Sequence, residues 1–150
     1  MIRALRTDST HEDFKTLVKA LDADLAIRDG DQTIFYSQFN KIDLIKNAIV
    51  IYEDDKPAAC GAIKAYEEHC MEVKRMYTIP EFRGRGLASA VITELEKWAA
   101  ELGNTKLVLE TGMNQPEAIS LYKKSGYKII PNYGQYIGIK NSVCFEKPIA

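Results

Sequence analysis

Two arginines and two glycines alternate in the stretch EFRGRGLAS, residues 81–89, directly before a helical pattern. Glycine is a poor helix former, so a pair of glycines at a helix start needs a reason. The first backbone N–H groups of a helix lack internal partners and lie at the positive end of its dipole, so they attract anions. Gly84 and Gly86 would leave those groups uncovered, and Arg83 and Arg85 would add charged donors. The stretch predicts a phosphate-binding turn, with a flexible surface turn as the alternative.

The elements on either side of this turn favour the binding site. An apolar, strand-like segment, MEVKRMYTI, precedes it at residues 71–79. A helix pattern follows it, and Gly103 supplies the stop of that helix. Apolar residues recur there at helical spacing: Leu87, Val91, Leu95, Trp98 and Leu102. A strand, an arginine–glycine loop and a helix in this order indicate a phosphate-binding turn more strongly than a glycine-rich loop alone would.

Composition limits the class of protein. The chain has 150 residues, 46% of them hydrophobic and 27% charged, which is typical of a soluble globular protein with one domain over residues 1–150. Its net charge of −1 predicts no nucleic-acid or membrane partner. The apolar runs are shorter than a membrane span and the start lacks a signal core, so we expect a cytoplasmic protein. The cysteines are widely spaced, so we expect buried thiols and no metal: Cys60, Cys70 and Cys144.

The remaining patterns predict a mixed sheet covered by helices. A short strand at 2–6 precedes a helix that Ser9 would cap, with Glu12 three residues on as in a capping box. A second, short helix is expected near 36–45. Further strands are expected at 48–55, 58–68, 71–79, 106–110, 127–130 and 142–146, and a last helix between Pro116 and Gly126. The order β-α-α-β-β-β-α-β-α-β-β predicts an α/β or α+β fold.

A dinucleotide-binding unit is the competing fold. Gly84, Gly86 and Ser89 faintly match G-x-G-x-x-G, and Glu110 ends the next strand, where a ribose-binding acid would lie. The preceding strand carries charged residues, however, which a parallel strand covered on both faces rarely buries. The turn before the first glycine is also long, and the strands cluster rather than alternate with helices. We therefore expect a different fold.

Two motifs resemble the GNAT superfamily of N-acetyltransferases. R-G-R-G-L-A at 83–88 matches its [Q/R]-x-x-G-x-[G/A] pattern, with Arg83, Gly86 and Ala88 in the fixed positions. MEVKRMYTIPEF resembles the family's fourth strand. QPEAISLYKKSGY, at 115–127, resembles its second motif, A-x-x-L-Y-x-x-x-G-[F/Y]. The resemblance covers residues 45–147, while the first third matches only in its strand–helix–helix outline.

The resemblance implies a GNAT-like acyl-CoA N-acyltransferase fold, in which the fourth and fifth strands of a mixed sheet splay apart around acetyl-CoA. Backbone groups of the fourth strand would bind the pantetheine arm: Met76, Tyr77 and Thr78. The turn and first helical residues would hold the pyrophosphate: Arg83, Gly84, Arg85, Gly86, Leu87, Ala88 and Ser89. Gln115 stands where many relatives carry Asn, and it is a further candidate for cofactor contact. The reaction needs no metal.

The chemistry would be attack of an amine on a thioester. A lysine-like amine has a pKa of about 10.4 and needs a base near pH 7. The resemblance suggests Glu72, which we expect on one strand face with Lys74 and Met76; a solvent-facing glutamate paired with Lys74 is the alternative. Tyr122 matches the family's general acid, and a phenol at pKa about 10 is only ~1.5 units above a thiol. A core tyrosine is the alternative there.

The resemblance therefore implies an N-acetyltransferase that uses acetyl-CoA to acetylate a primary amine of a small molecule or peptide. A non-catalytic acyl-CoA-binding sensor or pseudoenzyme is the alternative function, and a plain interaction domain is a third. The acceptor stays open, and so does the choice between monomer and homodimer. Residues near the expected acceptor pocket are candidates by position only: Asp22, Asp24, Arg28, Phe35, Tyr36, Tyr133 and Tyr136.

Overall fold

The computed structural model of the chain describes residues 1–29 and 45–149, without the side chains of residues 28 and 29. In these ranges the strands are β1 (Ile2–Thr7), β2 (Asn47–Glu53), β3 (Lys56–Glu67), β4 (Cys70–Thr78), β5 (Lys106–Gly112), β6 (Lys128–Ile130) and β7 (Ser142–Pro148). The α-helices are α1 (Glu12–Asp29), α2 (Leu87–Glu101) and α3 (Pro116–Lys124). Most of the helix expected near 36–45 lies outside the described residues. None of the described helices is both long enough and apolar enough to cross a bilayer.

One sheet contains all seven of these strands, in the order β1-β2-β3-β4-β5-β7-β6. Only β4 and β5 run parallel; the other neighbours in the described sheet are antiparallel. This confirms the mixed sheet. A single parallel pair also rules out the dinucleotide-binding fold, which needs successive parallel strands.

The parallel pair separates partway along its length. Its register runs from Cys70 opposite Lys106 to Glu72 opposite Val108, and ends there. Beyond this point β4 continues to Thr78, and β5 continues to Gly112. The splay expected from the family resemblance is therefore present, and it opens a gap inside the sheet.

Helices cover the two faces of the sheet differently. On the side that we call the α2 face, α2 and α3 pack onto the sheet through residues such as Val91, Leu95 and Tyr122. On the side that we call the α1 face, the helical stripe Phe14, Leu17 and Val18 packs on β2 and β3. A loop at 131–141 covers the same α1 face near β7, where Tyr136 packs on Cys144. All three cysteines are buried and free, as expected.

The start of α1 corrects the predicted cap. The helix begins at Glu12, so His11 and not Ser9 is the capping residue. The Nδ1 atom of His11 accepts a hydrogen bond from the backbone N–H of Asp13 at 3.2 Å. Asp8 accepts bonds from the backbone and hydroxyl of Thr10, and this local turn displaces the helix start by two residues.

A bulge in β4 corrects the predicted strand face of Met76. Between Cys60 and Ala62 of β3 the pairing advances from Tyr77 to Lys74, so β4 carries one extra residue. Arg75 absorbs it with a φ of 60°. The alternation of side chains shifts at this point, so Lys74 and Glu72 lie on the α1 face while Met76 packs on the α2 face. Glu72 and Met76 therefore do not share a face.

Candidate active site

A cleft of about 480 Å³ lies where β4 and β5 separate. Its walls come from β4, β5, the first turn of α2, helix α3 and the middle of α1. Every site residue predicted from the sequence except Arg85 lines it: Glu72, Met76, Tyr77, Thr78, Arg83, Gly84, Gly86, Leu87, Ala88, Ser89, Gln115 and Tyr122. The folded chain thus brings together residues that are far apart in sequence.

The turn before α2 leaves backbone uncovered. Gly84 and Gly86 have φ values of 80° and 79°, which favour glycine, and a Cβ at either would meet nothing within 4 Å. Gly86 is the N-cap, and no side chain caps the helix. The first N–H groups of α2 therefore face the cleft without a side-chain partner, which is the arrangement that binds anions.

Arg83 lies at the rim of the cleft. Its Nε donates to the backbone oxygen of Thr78 at 2.9 Å, and its guanidinium carbon lies 5.6 Å from the centre of the Tyr77 ring. These contacts tie the turn to the end of β4. They do not use the two terminal nitrogens of Arg83, which can therefore bind an anion.

Arg85 points elsewhere. Its guanidinium forms an ion pair with Glu53 of β2 and lies 5.3 Å from the Phe82 ring centre. It does not line the cleft, although the sequence grouped it with Arg83. The sequence favoured Arg83 but did not exclude Arg85, because only the folded turn shows that the two side chains point to different sides.

The far end of β4 has one free edge. Tyr77 and Thr78 pair with Cys60 and Ala59 of β3, and neither has a partner on β5. Backbone groups on the cleft side can therefore bind an extended ligand as an added strand would. The side chain of Met76 packs into the core on the α2 face. Met76 can therefore contribute to the core while its backbone binds a ligand.

Glu72 is buried on the α1 side of the cleft, with only 6% of its surface exposed. The hydroxyl of Tyr133 donates to its Oε2 at 2.6 Å, and the Nζ of Lys74 lies 3.6 Å from its Oε1. The alternative of a solvent-facing glutamate is therefore wrong, although its pairing with Lys74 is present. Tyr133 comes from the loop at 131–141, which no local pattern around Glu72 could indicate.

Lys74 belongs to the same cluster of polar side chains as Glu72 and Tyr133. Its Nζ donates to the hydroxyl of Tyr136 at 3.4 Å. Burial lowers the pKa of Lys74, although Glu72 and Glu110 oppose the shift. Burial also raises the pKa of Tyr133 and of Tyr136, with Glu72 adding to the shift in each case. Both phenols therefore remain hydrogen-bond donors at neutral pH.

Tyr122 reaches the cleft from the α2 face. It is 5% exposed, and its ring packs against Tyr127 and Phe145 at centroid distances of 5.9 and 5.8 Å. Burial raises the pKa of Tyr122, and the charge of Glu110 raises it further. The hydroxyl of Tyr122 thus stays protonated at neutral pH and well above it.

The sequence missed several residues that line the cleft. Arg75 donates to Asp22 of α1 at 2.7 Å, and its Nε is buried without a hydrogen-bond partner. Glu110 accepts a bond from the hydroxyl of Ser142 at 2.7 Å. For both Arg75 and Glu110, the sequence signal of a site residue was a charged side chain within an otherwise apolar strand pattern.

The acceptor candidates divide into three groups. Asp24 and Tyr136 line the cleft, and Tyr133 contacts it through Glu72. Asp22 is bound by Arg75. The side chain of Arg28, and all of Phe35 and Tyr36, lie outside the described residues. Across residues 1–29 and 45–149, no group of side chains has the composition of a metal site.

A model of the Acetyltransferase (GNAT) family matches residues 14–127 of the chain. An IAA acetyltransferase of Azospirillum brasilense is 36% identical over 91 residues, which are 60% of this chain and 60% of that protein. An uncharacterized N-acetyltransferase of Schizosaccharomyces pombe is 27% identical over 139 residues, 88% of this chain and 85% of that protein. The chain therefore spans about 60% of the first relative and most of the second.

Solved structures have a similar fold. A Klebsiella pneumoniae protein, named as a candidate acyl-CoA N-acyltransferase, is 31% identical with a TM-score of 0.84, covering 100% of this chain and 99% of that one. The PaiA N-acetyltransferase of Thermoplasma acidophilum, solved in complex with coenzyme A, has a TM-score of 0.73, with 99% of each chain covered. At 17% identity, the second likeness is one of fold alone.

Proposed function

The chain belongs to the acetyltransferase (GNAT) family, and from that premise we propose that it transfers the acetyl group of acetyl-CoA to a primary amine of a small molecule or peptide. The amine would attack directly while both substrates are bound. The observation that carries this proposal is the cleft between β4 and β5, which joins an uncapped helix start, a free strand edge, a buried carboxylate and a buried phenol.

The residues of the cleft fit coenzyme A. The N–H groups of Leu87, Ala88 and Ser89, with the terminal nitrogens of Arg83, would bind the pyrophosphate. Backbone groups of β4 from Met76 to Thr78 would bind the pantetheine amides. Bound in this way, acetyl-CoA supplies a thioester at the gap between the strands, near the bulge at Arg75.

Glu72 would act as the base on the α1 side. An acceptor bound on this side of the cleft would face the carboxylate, which lines the cleft. Tyr133 fixes Oε2, so Oε1 is the oxygen that can take a proton from the amine, directly or through a water. Removing that proton yields the neutral amine that attacks the thioester.

Tyr122 would act from the opposite side of the sheet, as a donor to the departing sulfur. Because burial raises its pKa, full proton transfer costs more than the ~1.5 units expected for an exposed phenol. A hydrogen bond from the hydroxyl to the sulfur costs no such transfer and stabilises the thiolate as it forms. Acceptor activation and leaving-group stabilisation are thereby separated by the sheet itself.

One observation favours the alternative of an acyl-CoA-binding protein without turnover. Both oxygens of Glu72 already have neighbours, Tyr133 and Lys74, so the carboxylate could serve only to hold the loop at 131–141 on β4. In that case coenzyme A would bind and no amine would be acetylated.

Two measurements separate these functions. A melt with ligand at 100 times Kd should gain about 2.7 kcal/mol of stability, or roughly 5–11 °C for a chain of this length. Thiol release from acetyl-CoA should then rise on addition of some member of a panel of amines, amino acids and peptide N-termini. A melting shift without amine-dependent thiol release would support the binding protein, and the absence of both would contradict each function.

A further inference from the structure

Lys74 differs from the other described lysines in its surroundings. Its side chain is 7% exposed, whereas Lys97 and Lys106, for example, are 63% and 40% exposed. It is also the one lysine of the described residues that lines the cleft. An amine is therefore already present on the α1 side, where the proposed function places the amine of the acceptor.

The position of Lys74 along β4 brings it close to the proposed thioester. It is the residue directly before the bulge at Arg75, and the strand edge that would bind pantetheine begins just after that bulge. Its Nζ lies 3.6 Å from Glu72, the proposed base. The internal amine and the proposed base are thus neighbours without any movement of the backbone.

Burial of Lys74 favours its neutral form. Burial is the largest cause of its lowered pKa, and the charge of Lys64 acts in the same direction. Glu72 and Glu110 act against it, and the hydroxyl of Tyr136 contacts the amine. A lowered pKa gives a larger share of the nucleophilic amine near neutral pH than an exposed lysine has.

We propose that Lys74 is an internal acceptor, which the protein acetylates with acetyl-CoA bound in its own cleft. This inference rests on the proposed function. The neutral Nζ attacks the carbonyl carbon of the thioester, a C–N bond forms and the C–S bond breaks. Coenzyme A leaves as a thiolate and is protonated to the thiol. The nitrogen loses one proton, through Glu72 or to water, and an uncharged acetamide remains on Lys74.

The test uses the whole protein and isotope-labelled acetyl-CoA, so that acetylation acquired during expression is not counted. Intact mass should show the addition of one labelled acetyl group, and peptide mapping should place it on Lys74. We expect Lys74 to be labelled at least about tenfold faster than exposed Lys97, because a bound thioester gains effective concentration. The rate constant should not change on dilution of the protein, since donor and acceptor share one cleft.

A non-reactive analogue tests whether the cleft is responsible. Desulfo-CoA should suppress labelling of Lys74 and leave the slow labelling of exposed lysines unchanged. Lys74→Arg and Lys74→Met should both abolish the fast label, with melting temperatures recorded to confirm that each variant folds. Lys97→Arg, an equivalent change on the surface of α2, should leave the fast label intact.

The outcomes of this experiment separate the two proposals. Labelling of Lys74 no faster than that of Lys97, in a protein that coenzyme A stabilises and that acetylates an added amine, would overturn this inference alone. Fast labelling that desulfo-CoA does not suppress would also overturn it, because the reaction would then be solution chemistry. Failure of coenzyme A to stabilise the protein would overturn the proposed function and this inference together.

Discussion

Glu72 and Tyr122 reach one cleft from opposite faces of the sheet. The family motifs pointed to both residues, but part of each environment comes from residues outside the motifs, such as Tyr133 beside Glu72 and Phe145 beside Tyr122. Tyr133 donates a hydrogen bond to Glu72 from a loop, and the two residues are 61 positions apart in the sequence. A sequence pattern describes which residues follow one another along an element, so it could not predict a contact of this kind.

Replacement of Glu72 by Gln should lower kcat/KM for the amine by about 10²–10⁴-fold, because the acceptor loses its base. The amide oxygen can still accept from Tyr133, so we expect the loop at 131–141 to stay in place. In this variant only the neutral fraction of the amine can react, so the rise of kcat/KM with pH should become steeper than in the wild type. Steady-state kinetics across pH check this, with Glu68→Gln, at the exposed turn between β3 and β4, as the matched control. An unchanged pH profile would place the base elsewhere.

Replacement of Tyr122 by Phe should lower kcat by about 100-fold or more, with a small change in KM for acetyl-CoA, since the lost bond forms with the departing sulfur. Because burial raises the pKa of Tyr122, its donor form persists as pH rises, and wild-type kcat should show no alkaline decline from this group near neutrality. Tyr127→Phe is the control: it also removes a buried hydroxyl, which bonds Glu96 at 2.9 Å outside the cleft. Equal losses in the two variants would contradict the assignment.

At the scale of elements, apolar periodicity predicted the strands and helices of the described residues to within a few positions. It failed where geometry departs from a regular repeat. The bulge at Arg75 moved Met76 to the other face, because a period of two assumes an unbroken strand. The cap of α1 moved from Ser9 to His11, because the turn formed by Asp8 and Thr10 comes first.

Packing of α2 on β3 depends on a missing side chain. A Cβ at Gly61 would lie 2.5 Å from Met76 Sδ and 2.6 Å from Val91 Cγ1. Gly61→Ala should therefore destabilise the protein by about 1–3 kcal/mol, or roughly 2–12 °C in a thermal melt.

A double-mutant cycle tests the cause of that loss. Met76→Ala removes the sulfur that the new methyl group meets, so Gly61→Ala should cost less in its presence than alone. Strictly additive losses would mean that this close contact does not explain the effect.

At the scale of the whole molecule, the sequence motifs were sufficient to predict the family and its splayed sheet, because the two motifs and their separation match the family pattern. They placed Arg83 in a fixed position of the first motif, but they gave no reason to exclude Arg85 from the cleft. Arg83 contacts the end of β4 at the rim of the cleft, whereas Arg85 turns back to Glu53 of β2. The path of the turn between β4 and α2 causes this difference. Arg83→Ala and Arg85→Ala therefore form a matched pair of variants.

The central claim is that the start of α2 and Arg83 hold the pyrophosphate of coenzyme A, and calorimetric titration of coenzyme A tests it most directly. The wild-type protein should bind, and Arg83→Ala should weaken binding by about tenfold or more, since a charge-assisted hydrogen bond contributes about 1.5–3 kcal/mol. Arg85→Ala should change the affinity by less than about fivefold, as expected for an exposed ion pair outside the site. No binding by the wild type, or equal losses from the two arginines, would contradict the account.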